Sequence, residues 1–229
     1  KYRYLDLRRE KMQKNIRLRH SVINFVRDFM NGEGFMELAT PILTAPSPEG
    51  ARDYLVPSRI HKGSFYALPQ APQQFKQLYI ASGIDKYFQI APCFRDEDSR
   101  AARSPGEFYQ IDMEMSFATQ EDVLDIISRL LFEIFNKFKG NQKSVNKLPF
   151  PTFTYKESME QFGCDKPDLR NPLRLTNVTK FFKGSGLQIF EKLIEKGAIV
   201  NCIEASQSQG KPRSFYDNLN KWAIDQGKK

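Results

Sequence analysis

An α+β fold, with an antiparallel sheet flanked by helices, is what the sequence predicts. Three observations lead there. Two β-prone apolar segments, Tyr87 to Phe94 and Phe108 to Phe117, flank a charged loop and read as an antiparallel hairpin. Amphipathic helical patterns stand before and after it, so sheet and helix faces can bury a shared core. From Asp165 onward the texture changes to shorter elements separated by glycines. That change predicts a boundary, with one domain over 1–164 and a smaller one over 165–229.

The elements follow in order. A first helix is predicted over Glu10 to Asn31, where Leu18, Val22, Phe25, Val26, Phe29 and Met30 recur at helical spacing. Gly32 and Gly34 stop it. A short strand, Phe35 to Leu38, leads into Thr40-Pro41, and a proline there suits an edge strand or an interface. Ala45 to Asp53 is Pro/Gly-rich and polar and reads as a mobile loop. Strands are predicted at Tyr54 to Val56 and at Phe65 to Leu68. Pro72 suits the first turn of a helix over Gln73 to Ser82, closed by Gly83. After the hairpin, Thr119 to Asp122 resembles a capping box for a helix reaching Lys139 and ending at Gly140. Asn141 to Lys147 is a polar linker. Thr154 to Glu157 is a second capping box, for a helix ending at Gly163. Lys166 to Pro172 is a linker. A strand is predicted over Ala198 to Ile203, and Ser214 to Asp217 should cap a helix reaching Gln226.

Composition narrows the chemistry. The chain has 229 residues and a formal charge of +8, with a pI near 9.3. A basic surface favours nucleic acid, anionic lipid or phosphorylated ligands without choosing among them. The three cysteines, Cys93, Cys164 and Cys202, show no metal-binding spacing and read as reduced thiols of a cytoplasmic protein. Only His20 and His61 occur, which argues against a histidine metal centre or Ser-His-Asp chemistry. No apolar run is long enough to span a bilayer, so no membrane partner is expected. The chain starts at Lys1 in an already patterned stretch and stops on Lys228-Lys229, and it reads as a piece of a longer protein.

The most specific chemistry lies in the hairpin. Its loop holds Arg95, Arg100 and Arg103 and is far longer than a turn requires. Arg95 stands where a strand ends, so a rigid sheet would hold its guanidinium for bidentate recognition of phosphate or carboxylate. On charge alone, a solvated hairpin tip is an equal alternative. Gln73 and Lys76 share one face of a helix's first turn, where free N–H groups favour an anion. Taken alone, that pair is more often a plain surface pair.

Taken together, these segments resemble class II aminoacyl-tRNA synthetases of the bacterial aspartyl type. Cys93 to Arg100 with Glu107 to Met115 resembles motif 2, and Gly34 to Thr44 resembles motif 1. Ser47 to Tyr54 resembles the flipping loop, and Gln70 to Gln77 the amino-acid-pocket segment. Cys164 to Arg170 resembles the hinge into the insertion domain. The resemblance implies the class II antiparallel sheet with its N-terminal part here, followed by a partial α+β insertion domain. Departures fall in the loop, where Ala102 and Ser104 replace residues usual in the family and Gly106 is extra.

Roles follow from the resemblance. Arg95 would be the catalytic residue, holding the α-phosphate of ATP and the α-carboxylate of aspartate. Asp96, Glu97 and Phe108 would complete the ATP side, with Phe108 beneath adenine. Lys76 would read the side-chain carboxylate of aspartate, among Glu49, Gln73, Gln74, Phe75 and Asp112. Arg100 and Arg103 would reach the tRNA acceptor end, and Pro41 would lie in a homodimer interface. Mg²⁺ would accompany ATP, with its protein ligands outside this chain. The implied partners are L-aspartate, ATP and tRNA(Asp), with tRNA(Asn) left open. Two alternatives stand beside this reading. One is an asparaginyl- or lysyl-type synthetase. The other is a non-charging paralogue that binds RNA or regulates.

Overall fold

In this computed structural model, residues 2–47, 49–98, 106–141, 143–204 and 208–227 are described. The chain forms two compact units, 1–150 and 151–229. The first contains α1 (Arg3–Leu7), α2 (Glu10–Gly32), β1 (Met36–Glu37), β2 (Leu55–Pro57), β3 (Phe65–Ala67), α3 (Gln73–Ala81), β4 (Lys86–Phe94), β5 (Glu107–Met115) and α4 (Gln120–Phe138). The second contains α5 (Tyr155–Phe162), β6 (Leu175–Asn177), α6 (Thr179–Phe182), α7 (Gln188–Glu195), β7 (Asn201–Ile203) and α8 (Arg213–Asp225).

The hairpin organises the first unit. β4 and β5 pair antiparallel from Lys86 opposite Met115 to Phe94 opposite Glu107. Side chains alternate between faces, so directly opposed residues share a face. One face presents Phe88 and Ile90 with Met113 and Met115. These pack with Val26 and Met30 of α2, Phe35, and Ile126 and Leu130 of α4 into the core. The other face presents Tyr87, Gln89, Ala91 and Cys93 opposite Glu114, Asp112, Gln110 and Phe108. That second face is the polar one.

Local signals explain the helix ends. Gly34 takes a left-handed φ of +81°. The turn lets Phe35 N–H donate to the Met30 carbonyl at 3.0 Å, and the Phe35 ring drops into the core. Thr119 and Asp122 form a reciprocal capping box at the start of α4, as do Thr154 and Glu157 at α5. Glu33, just past α2, accepts a two-pronged pair from Arg129 of α4 at 2.6 and 2.8 Å. That fork joins the two helices that cover the sheet.

The structure corrects several expectations. β1 pairs with β4 in parallel, so the three-stranded sheet is mixed. A parallel pair needs a long crossover, and the segment holding β2, β3 and α3 supplies it. Pro41 lies outside every strand and is exposed. β5 stops at Met115, because Ser116 N–H turns to Asp85 and Phe117 takes a positive φ of 51°. Ser214 lies inside α8 rather than capping it, and Pro212 occupies the cap position. α1 stands where no element is predicted, and β6, α6 and α7 are three of the shorter elements expected after Asp165, whose type and bounds only the structure gives. The break between units falls at 150/151, ahead of the expected 164/165. The physical cause is α5, whose Ser158 hydroxyl donates to the Cys164 carbonyl at 2.7 Å. Leu175 of β6 also approaches Gly163 closely.

Phe88 is fully buried at the centre of the core cluster. Phe88→Ala should therefore cost about 3–5 kcal/mol of stability, read as a lowered urea midpoint with far-UV circular dichroism.

Candidate active site on the polar face of the hairpin

The polar face of β4–β5 is roofed by α3, which delivers Lys76 onto it. Lys76 is only 9% exposed although it is charged. Its ammonium donates to Asp112 Oδ1 at 3.0 Å and pairs with Glu114 Oε2 at 3.1 Å. Both acids are on β5, two residues apart, and so on one face. Burial works against the Lys76 charge, but the two carboxylates outweigh it and hold its pKa above the ordinary lysine value.

Beside this trio, buried polar groups are satisfied by one another. The Tyr87 hydroxyl and the Thr40 hydroxyl both donate to Gln89 Oε1, at 2.9 and 3.0 Å. The Tyr87 ring stacks on Tyr79 of α3. The Cys93 thiol lies 3.3 Å from Gln110 Oε1. Burial first, then the nearby Asp112 carboxylate, keeps the Tyr87 phenol protonated well above its usual range. The same two causes push the Cys93 thiol from 9.0 up to about 11, with Glu49 adding and Arg95 opposing.

At the open end, Arg95 continues the ladder, its N–H donating to the Gly106 carbonyl at 2.8 Å. Its side chain turns back over Phe108, with the guanidinium carbon 5.0 Å from the ring centroid. Among the described residues, Arg95 Nε is a buried donor without a partner and Asp112 Oδ2 a buried acceptor without one. Such atoms cost free energy unless something satisfies them, and they mark where a polar ligand fits. By strand register, Asp112 stands opposite Gln89 and Arg95 opposite Gly106. That is roughly 20 Å of strand rise, shortened by the reach of Arg95 back over Phe108.

The segment before β2 is clasped to this mouth rather than loose. Gln70, 1% exposed, donates to the Ala51 carbonyl at 2.8 Å and to Asp53 Oδ1 at 2.6 Å. It also accepts from Ala51 N–H at 3.2 Å. Arg52 and Asp96 exchange two further bonds, at 3.1 and 2.9 Å. A Cβ on Gly106 would come within 2.6 Å of the Tyr54 hydroxyl, so this glycine lets Tyr54 approach the strand end.

The expected site residues are distributed unevenly. Lys76, Asp112, Arg95 and Phe108 share the polar face. Glu49 is near enough to act on Cys93, and Ser47 donates to it at 3.4 Å. Gln73 is half-buried in the first turn of α3. Gln74 and Phe75 line a small cavity with Thr44, Ala45 and Pro69, away from Lys76's acids. Asp96 and Glu97 are exposed at the mouth. Arg100 and Arg103, with Ala102 and Ser104, lie outside the described residues. Sequence reasoning missed Glu114, which strict alternation from Asp112 would have placed on the same face. It also missed Gln70, Gln89 and Tyr87, whose partners are distant in sequence and leave no local signal.

Fold and face together have the character of a class II synthetase core, and comparison with known proteins agrees. The model of the family "tRNA synthetases class II (D, K and N)" matches residues 1–215, and the chain belongs to that family. Among curated relatives, the aspartate–tRNA(Asp/Asn) ligase of Paramagnetospirillum magneticum is 59% identical over 227 residues, covering 99% of this chain and 26% of that protein. Proteins of the same name from Rickettsia bellii and Acidiphilium cryptum are 57% and 58% identical, with 37% and 38% of their lengths covered. The chain thus spans between about a quarter and two fifths of these relatives' length. A crystal structure from Leishmania major, assigned as an aspartyl-tRNA synthetase, aligns with a TM-score of 0.51 at 28% identity. It covers 59% of this chain and 25% of that one.

Cys93, Tyr87 and Lys76 all have folded pKa values above their ordinary ones. Groups raised in this way stabilise the fold below their unfolded pKa, and the contribution is lost as pH climbs toward the folded value. The urea midpoint should therefore fall once pH passes 9.0, where unfolded cysteine ionises. Cys93 alone should account for a loss on the order of 2 kcal/mol by about pH 11. Cys93→Ala should flatten the pH dependence between those two values, and an unchanged slope would show that Cys93 does not titrate differently on folding.

Proposed function

We propose that the protein to which this chain belongs joins L-aspartate to tRNA at the expense of ATP. Aspartate's α-carboxylate attacks the α-phosphorus of ATP and pyrophosphate leaves. The terminal ribose hydroxyl of tRNA then attacks the acyl carbon and AMP leaves. The observation that supports this most directly is the pair of opposite unmet needs on one sheet face. Asp112 offers a buried acceptor beside a buried cation, and Arg95 offers a buried donor at the mouth. A ligand with an ammonium and a carboxylate at one end and a phosphate at the other complements that face. The shared name of the relatives supports aspartate as the amino acid. It also supports tRNA(Asn) as a second acceptor beside tRNA(Asp).

In this reading, Arg95 draws the α-phosphate and α-carboxylate together and stabilises charge developing at phosphorus. Phe108 stacks beneath adenine, and Asp96 and Glu97 line the nucleotide side. Lys76 reads the side-chain carboxylate of aspartate. Asp112 and Glu114 orient Lys76, and Asp112 Oδ2 is free to take the ammonium group, with Glu49 and Gln73 around it. The trio of Lys76 and two acids has a net negative charge, so a second cation must share the aspartate side chain. Mg²⁺ is proposed to be bound through the phosphates of ATP. Asp112 and Glu114 are engaged by Lys76 and are not assigned to Mg²⁺. A homodimer through the exposed Pro41, Ile42 and Leu43, a cytoplasmic location, and tRNA contact by Arg100 and Arg103 belong to the same proposal.

Arg95→Ala in the full-length protein should lower aspartate-dependent pyrophosphate exchange by at least 100-fold, about 3 kcal/mol. Near-normal exchange would remove this hairpin from the chemistry. Lys76→Gln should reduce discrimination between aspartate and asparagine about tenfold, roughly 1.4 kcal/mol for one charged contact. ATP binding, followed by equilibrium dialysis, should change little.

A further inference from the structure

One exposed feature of the first unit plays no part in the site above. The connection between β2 and β3 is the tip Ser58-Arg59-Ile60-His61-Lys62-Gly63-Ser64. It holds two permanent cations and a histidine in four consecutive residues, and no acid occurs between Asp53 and Asp85. Residues 59–64 are all exposed, and among the described residues neither Arg59 nor Lys62 is in an ion pair. Long cations usually find acidic neighbours on a protein surface, so a tip supplied with none leaves its charge for a partner.

The tip is also held in shape. Ser58 N–H donates to the Ser64 carbonyl at 2.9 Å, and Ser64 N–H to the His61 carbonyl at 3.1 Å. The Ser58 hydroxyl accepts from His61 N–H at 3.0 Å. Gly63 supplies the left-handed residue, with φ +81°. Next to the cations stand side chains that a solvated loop does not require. Ile60 is 83% exposed, and Phe65, opposite Pro57 on the adjoining strands, is 54% exposed. Fixed cations with an exposed aromatic ring beside them are the usual composition of a single-strand or backbone contact for nucleic acid.

Its position points the same way. The root of this hairpin is tied to the mouth of the proposed active site. Leu68 N–H bonds the Tyr54 carbonyl and Phe94 N–H the Pro69 carbonyl, both at 2.9 Å. The tip is therefore anchored at its root beside the end of β4 that holds Arg95. We propose that the β2–β3 tip, through Arg59 and Lys62 with Phe65 beside them, is a contact for the RNA phosphodiester backbone. The identity of that RNA as tRNA rests on the function proposed above. The contact itself does not.

The test uses the full-length protein with Arg59→Glu/Lys62→Glu, and Arg59→Gln/Lys62→Gln as a milder partner. Thermal melting checks that both fold. Filter binding of tRNA(Asp) and of an unrelated tRNA should weaken at least tenfold in the Glu variant and less in the Gln variant. The loss should be alike for both RNAs, because backbone contacts hold no sequence information. The log–log salt dependence should become shallower by about one to two, as expected when two phosphate contacts are lost. Aspartate-dependent pyrophosphate exchange should stay within twofold of wild type. Unchanged RNA binding and salt slope in both variants would overturn the proposal, and a change of oligomeric state with RNA binding intact would reassign the tip to a protein interface. If the wild-type protein fails to exchange pyrophosphate while RNA binding still falls in the variants, the contact stands and the enzymatic reading falls.

Discussion

The register of β4 on β5 is the constraint on which everything else in the first unit depends. With Gln89 opposite Asp112 and Phe88 opposite Met113, one face is apolar and the other polar. A slip of β5 by one residue would turn Met113 toward Lys76 and push Asp112 into the α2–α4 core. Both outcomes are costly, one by exposing apolar surface and the other by burying an unpaired carboxylate. The hydrophobic core and the polar site therefore select the same register. That agreement explains how a hairpin with such a long connecting loop can still pair in one way.

The polar face is not arranged for stability. Burying Lys76 between Asp112 and Glu114 removes three charges from water to differing degrees, a cost that the attraction among them has to offset. Arg95 Nε and Asp112 Oδ2 remain unmatched among the described residues. The burden is met by the opposite face, where Phe88, Met30 and Val26 are almost completely buried. The clasp of Gln70 on Ala51 and Asp53 adds rigidity at the mouth, so the groups a ligand would meet are held before it arrives.

The second unit is built differently. Its two strands pair from Leu175 opposite Ile203 to Asn177 opposite Asn201, and α5 packs beside them. Phe182 of α6 and Phe190 of α7 touch with ring centroids 4.8 Å apart. Large apolar side chains such as Ile189 and Trp222 stay 77% and 63% exposed. Its helices are amphipathic, but a unit of this size offers little interior to bury their apolar faces.

What the sequence determined by itself was whatever is encoded over a few residues. The apolar stripes of α2 and α4, the capping boxes at Thr119 and Thr154, the turn at Gly34 and the β4–β5 hairpin follow from local periodicity and local hydrogen bonding. Ordered motifs likewise single out Arg95, Lys76, Phe108 and Asp112, which the fold places on one sheet face. Short or tertiary-dependent features could not be read this way. The strand β6 is three residues long and owes its existence to its partner β7. The parallel sense of β1 depends on how the intervening chain crosses over. The unit boundary depends on α5 choosing β6. Lys76's second acid, the Gln70 clasp and the Tyr87–Gln89–Thr40 network were decided by tertiary structure alone. Each joins residues that burial, not sequence proximity, brings within hydrogen-bond reach.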